Sequence, residues 1–162
     1  MEDSAKIFSH LDDATNMPAM VNVSGKEVAH RVAVAQSIVL LNKEIADQLD
    51  NNDIQTKKGP VFQTAIIAGT MAAKKTSDLI PLCHPLPVEN CKFDVSLNAG
   101  YEVVIHCTVS VTSKTGVEME ALTGASIAAL TIYDMCKAFS HDIIIKETKL
   151  LSKTGGKSDY NG

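Results

Sequence analysis

Cys91-Lys92-Phe93-Asp94-Val95-Ser96-Leu97-Asn98-Ala99-Gly100-Tyr101-Glu102-Val103-Val104-Ile105-His106-Cys107-Thr108-Val109-Ser110-Val111-Thr112-Ser113 decides the fold. Apolar and polar residues alternate from Cys91 to Asn98 and again from Tyr101 to Ser113. A period of two sends successive side chains to opposite faces, so each half is a strand with one buried face. Ala99-Gly100 between them is a hairpin signal, which makes the two strands adjacent and antiparallel.

Strands and helices alternate on either side of this pair. Val28 to Leu41 is a third alternating segment, with Arg31, Ala33, Ala35 and Ser37 on one side and Val28, His30, Val32, Val34 and Gln36 on the other. Met20 to Val23 reads as a short strand before a turn at Ser24-Gly25-Lys26. Asn42 caps a helix to about Leu49, with Ile45, Ala46 and Leu49 inward. Asp50 to Lys58 is a polar connection. Pro60 opens a helix running to about Lys75, which buries Val61, Ala65, Ile66 and Gly69. Thr115 and Glu118 have the spacing of a capping box for an alanine-rich helix reaching about Phe139. Its inward stripe holds Leu122, Ser126, Ala129, Ile132 or Tyr133, and Cys136. Asp142 to Leu151 returns as a strand. This order predicts an α+β two-layer sandwich, a largely antiparallel sheet with helices on one face. It divides into a flexible arm (1–16), one α+β domain (17–152) and a mobile glycine-rich tail (153–162).

Composition narrows the function. The 162-residue chain has a formal net charge of −4, which argues against general nucleic-acid binding. It has four phenylalanines, three tyrosines and no tryptophan, so the core is aliphatic and small residues let elements approach closely. Phe93 alone on its strand is a poor base-stacking platform, which disfavours an RNA-binding sheet. The polar start lacks a signal-peptide pattern, and no apolar run is long enough to span a membrane. Cys83, Cys91, Cys107 and Cys136 match no zinc spacing and read as reduced thiols of a cytoplasmic protein.

Several residues carry candidate chemistry, each with a plainer alternative. Pro81 and Pro85 frame Cys83-His84 in a stiff, extended segment from Leu82 to Pro87. His84 suits acid–base work or phosphate binding, although a lone histidine is more often structural. Glu118 and Glu120 can divide acid and base roles or simply favour the positive helix end. Asp134 and Lys137, three apart, share a helix face as an ion pair or a proton-transfer couple. Burial would lower the lysine pKa and the carboxylate would raise it. Lys58 precedes a helix start where anions bind, while Lys74 ends a helix and complements its dipole. Gly155-Gly156-Lys157-Ser158 lacks the earlier glycine of a P-loop, because position 150 is Leu.

Three segments together resemble the signature of the MoaC family. They are residues 74–86, Gly116-Val117-Glu118-Met119-Glu120-Ala121-Leu122-Thr123, and Tyr133-Asp134-Met135-Cys136-Lys137-Ala138. Leu150-Leu151-x-Lys153-x-Gly155-Gly156-Lys157-Ser158 is similar to the family's tail. The resemblance runs from about His10 to Ser158 and departs from the pattern at Asn22, Ala29, Ser37 and Asp159. It implies a ferredoxin-like fold and a homohexamer, a trimer of dimers with active sites at the dimer interface. It also implies a lyase of molybdenum cofactor biosynthesis, the cyclic pyranopterin monophosphate synthase. That reaction turns 3′,8-cyclo-7,8-dihydroguanosine 5′-triphosphate into the cyclic pyranopterin with release of pyrophosphate. By motif match Lys58, Asp134 and Lys137 are catalytic. Cys83, His84, Glu118, Met119 and Glu120 match positions lining the family's pocket, and Lys74 and Lys157 add charge toward the phosphates. The resemblance implies no resident cofactor and leaves open whether magnesium accompanies the triphosphate. The rival, a non-catalytic ferredoxin-like metabolite-binding module, has no need for His84, Glu118, Glu120, Asp134 and Lys137 all at once.

Overall fold

The computed structural model describes residues 9–162. In chain order the elements are β1 (Ala29–Leu40), α1 (Lys43–Ala46), β2 (Leu49–Asp50), β3 (Asp53–Thr56), β4 (Gly59–Pro60), α2 (Val61–Lys74), α3 (Thr76–Leu79), β5 (Asn90–Leu97), β6 (Glu102–Ser113), α4 (Glu118–Cys136), β7 (Ile144–Thr154) and β8 (Tyr160–Asn161). The main sheet has the order β5-β6-β1-β7-β8, with every neighbouring pair antiparallel. A small second sheet has the order β2-β3-β4.

The expected hairpin is β5–β6. The Asn98 side-chain oxygen accepts from the amides of Gly100 at 2.9 Å and Glu102 at 3.0 Å, and Tyr101 takes a positive φ of 63°. The alternation in β1 is also realised. Ala33, Ala35, Ser37 and Val39 are buried, as are Val103, Ile105, Cys107, Val109 and Val111 of β6. Register pairs Ala33 with Val109 and Ala35 with Cys107. Ser37, buried in this face, shares a 2.6 Å hydrogen bond with Thr148 of β7, which satisfies both hydroxyls. Each fully buried valine or isoleucine contributes roughly 1.5–3 kcal/mol.

Helices α2 and α4 cover this face, and they touch through their backbones. A Cβ added at Gly69 would lie 2.8 Å from the Gly124 carbonyl oxygen and 2.5 Å from Phe93 Cζ. One added at Gly124 would lie 2.8 Å from Cys107 Sγ and 3.3 Å from the Gly69 oxygen. Ala121, Ala125, Ala128 and Ala129 continue the small-residue seam of α4, and Ile132 fills its far end.

Some expectations need correction. Residues 20–23 form no strand; Lys26 instead closes a turn onto the Val23 carbonyl. Asn42 does cap α1, accepting from Ile45 N at 3.0 Å, but the helix is one turn long and Leu49 is exposed in β2. The polar connection 50–58 holds β3, and left-handed Asn51 and Asn52 make its turn. Ile66 is half-buried and Phe62 takes the inward place. Residues 76–79 are a helical turn, and the extended stretch starts at His84, because Pro81 to Cys83 bend back onto the Ile80 carbonyl. The capping box does not form: Val117 is the cap residue, without a side-chain bond. The returning strand continues to Thr154, and Tyr160–Asn161 pair with it. Of the arm, Leu11 bridges to Pro18, whereas Ile7 and Phe8 lie outside the described residues. No described helix is long and apolar enough to cross a membrane.

The helix seam is testable by thermal unfolding. Gly69→Ala gains helix propensity of about 1 kcal/mol but meets a backbone oxygen that cannot rotate away, so overpacking of about 1–3 kcal/mol wins. Tm should fall by several degrees; an unchanged or raised Tm would refute the close approach.

Candidate active site

Helix α4 carries predicted site residues at both ends. Glu118, Met119 and Glu120 open it, and Asp134 and Lys137 close it. Sixteen residues of helix separate Glu118 from Asp134, about 24 Å. Within one chain the predicted site residues therefore form two groups rather than one cluster.

At the carboxyl end, Lys137 Nζ lies 2.8 Å from Asp134 Oδ1. Lys58 Nζ, at the tip of the β3–β4 turn, donates to Asp134 Oδ2 at 3.4 Å and to the Asp134 carbonyl at 3.3 Å. The three side chains are about half exposed. Bonds from Lys137 and then Lys58 hold the Asp134 carboxyl below its usual range, and Asp134 in turn raises Lys137. The carboxylate outweighs burial, so Lys137 stays charged and donates hydrogen bonds.

Two adjoining cavities lie at the amino end. The smaller, about 230 Å³, is lined by Leu82, Cys83, His84, Met119 and Glu120, and by His10, Val21 and Val23 from the segment before β1. Glu120 is only 4% exposed. Burial pushes its carboxyl up to about 7, and the Glu118 charge adds to the rise. Burial, with Glu120 nearby, also raises the Cys83 thiol, which favours the protonated form. The larger cavity, about 620 Å³, gathers Lys26, Arg31, Lys114, Lys153 and Lys157 against Glu27 and Glu118, with Gly155-Gly156 in its wall. Lys153 Nζ is 2.8 Å from Glu118 Oε1, and this bond draws Glu118 away from any capping role. Arg31 Nε donates to the Ser113 carbonyl at 2.9 Å, which fixes its base at the wall. Gly155 turns the chain at φ 81°, and a Cβ there would run into the His30 carbonyl, so the position calls for glycine. Lys26, Thr115 and Gly116 line both cavities, so the two join along one rim.

Of the expected residues, Lys58, Asp134 and Lys137 come together. Cys83, His84, Met119 and Glu120 share the small cavity, and Glu118 and Lys157 share the large one. Lys74 is exposed at the end of α2 and lines neither. Lys26, Lys114 and Lys153 were not among the candidates. A signal for Lys153 exists: it pairs with buried Ala33 on the helix-facing side of β7, an unusual place for an idle lysine. Among the described residues, no group of three or more His, Cys, Asp or Glu side chains is placed to hold a metal.

The MoaC family model matches residues 20–156. The chain belongs to the MoaC family. A Xanthomonas campestris pv. campestris protein named cyclic pyranopterin monophosphate synthase is 54% identical over 152 residues, covering 94% of this chain and 92% of that one. The "Molybdenum cofactor biosynthesis bifunctional protein" of Synechocystis sp. is 58% identical over 159 residues, covering 96% of this chain but 46% of its own length. "Molybdenum cofactor biosynthesis protein 1" of Dictyostelium discoideum is 53% identical over 167 residues, 93% of this chain and 26% of its own. The chain thus spans about half and about a quarter of these two longer MoaC relatives.

Burial of Glu120 makes stability depend on pH. Its folded pKa of about 7 lies above the 4.5 of an unburied glutamate, so between those values the unfolded chain releases its proton first. Stability is unpenalised below about pH 4.5 and falls as pH rises through 7. Glu120→Gln should remove this slope and gain up to roughly 3 kcal/mol at pH 8 relative to pH 4.5. Parallel denaturation curves for variant and wild type across pH would contradict it.

Proposed function

We propose that this chain is a cyclic pyranopterin monophosphate synthase, a phosphorus–oxygen lyase. It takes 3′,8-cyclo-7,8-dihydroguanosine 5′-triphosphate, rearranges the guanine-derived rings, closes a cyclic phosphate and releases pyrophosphate. The carrying observation is the joined pair of cavities: a small one with a buried acid and an imidazole opens along one rim onto a large one with five cations. The fused ring system sits against Leu82, Cys83, His84 and Met119. The triphosphate lies among Arg31, Lys114, Lys153 and Lys157, whose charges stabilise the leaving pyrophosphate. Glu120, protonated near neutrality, gives a proton to a ring heteroatom. Lys137 is the second proton donor, and Lys58 assists it through the shared Asp134 carboxylate. The reaction as proposed requires no resident cofactor.

A single nucleotide cannot touch both ends of α4 in one chain. Each active site therefore joins the amino end of one protomer to the carboxyl end of its partner, at the interface of a dimer within a homohexamer. Exposed Ile67, Met71 and Leu130 on the outer helix layer fit a covered surface. The ferredoxin-like reading draws support from the β1-α2-β5-β6-α4-β7 succession and the order β5-β6-β1-β7. Four free cysteines fit a cytoplasmic setting.

Supplying the cyclised guanosine triphosphate should yield pyrophosphate and, after oxidation, a fluorescent pterin; absence of both would overturn the assignment. Lys137→Ala should slow turnover by about 10²–10⁴ with Tm unchanged, and full activity would remove Lys137 from the chemistry. Co-expressing Lys137→Ala with His84→Ala chains tests the shared site. Mixed dimers hold one doubly damaged and one intact site, so about a quarter of wild-type activity should return. No recovery above either parent would place both ends of the site in one chain.

A further inference from the structure

Asp53 is a buried carboxylate, 4% exposed, that the proposed chemistry does not use. It sits at the start of β3, yet it performs the capping that Pro60 cannot. Its Oδ1 accepts from Phe62 N at 2.7 Å and its Oδ2 from Gln63 N at 3.1 Å, the second and third amides of α2. Oδ1 also accepts from Ile54 N at 2.7 Å. Pro60, the cap residue by position, makes no side-chain bond. A carboxylate on helix amides is a strong, charge-assisted contact.

These bonds close residues 53–63 into a clamped hairpin with Lys58 at its tip. Within it Gln55 pairs with Pro60 and Thr56 with Gly59. The Thr56 hydroxyl accepts from Lys58 N at 3.1 Å and donates to the Gly59 carbonyl at 3.1 Å. Gly59 turns the chain at φ 112°. The clamp ties the base of the hairpin to the helix layer, where the Thr64 hydroxyl also donates to the Pro60 carbonyl at 2.6 Å, and from the tip Lys58 Nζ reaches Asp134. Cys136, one residue before Lys137 at the end of α4, has its thiol raised by burial, and the nearby Asp53 charge adds to that rise. The start of α2 and the end of α4 thus meet around one carboxylate.

We propose that Asp53 is a positioning residue that aims Lys58 at Asp134 by capping α2 from β3. This rests on the catalytic reading of Lys58. A lysine on an unclamped turn would sample many positions, and misplacement of about 1 Å can cost 10²-fold in rate.

A double-mutant cycle on kcat, with the cyclised guanosine triphosphate as substrate, tests it. Asp53→Asn keeps one acceptor oxygen but not the second, so it loosens the clamp without emptying the position. It should lower kcat by about 10–100-fold in protein shown folded by its melting curve. In the Lys58→Ala background the same change should have no further effect on kcat, because the residue it aims is already gone. If Asp53→Asn slows the Lys58→Ala protein by the same factor as wild type, Asp53 is only a stabilising cap and the inference fails. If Lys58→Ala keeps full activity, the catalytic reading of Lys58 fails first and takes this inference with it. Should Asp53→Asn not fold, Asp53→Ser retains one short acceptor and completes the same cycle.

Discussion

The structure depends on the contact of two helix backbones at Gly69 and Gly124. With no side chain between them, α2 and α4 lie close enough for Phe93 and Cys107 of the sheet to fill the space beneath. That approach sets the level of α4 over the sheet, and α4 carries proposed site residues at both ends. It also brings the β3–β4 turn, which precedes α2, beside the last turn of α4. The position of Lys58 near Asp134 is thus a consequence of two missing methyl groups some distance away.

Electrostatics differ sharply between the two ends. At the carboxyl end, an exposed carboxylate between two lysines stays ionised and keeps Lys137 charged. At the amino end, Glu120 is shielded from water and lacks a described cation as partner, so its proton is held to near neutrality. Glu118, two residues earlier, is paired with Lys153 and only partly exposed. Three acidic groups on one helix thus stand in three different surroundings.

The sequence made the large alternating strands and the two long helices legible, because a face repeated over many residues leaves a period. It did not reveal β2, β3 and β4, whose two to four residues are too few for any period. The spacing of Thr115 and Glu118 suggested a local cap, but Lys153, distant in sequence, binds Glu118 instead. Local rules fail where a nonlocal charge offers the stronger bond. The association of His84 with Glu120 was carried only by resemblance, since no periodicity links residues so far apart. Of the cavity's lysines Lys157 was expected from the resemblance, whereas Lys153 escaped notice because a charge on a strand ordinarily faces water, and Lys26 and Lys114 because they lie in short bends. The separation of the two groups, by contrast, is contained in the helix itself: residues 118 and 134 of one continuous helix cannot be neighbours.

Helix α4 consequently acts as a metering rod. A single residue inserted near its middle would leave the contacts at each tip chemically intact. Yet it would advance one tip by about 1.5 Å and swing it about 100° around the axis relative to the other. Length and phase of this one rod are therefore as much a part of the protein's chemistry as any ionisable group mounted on it.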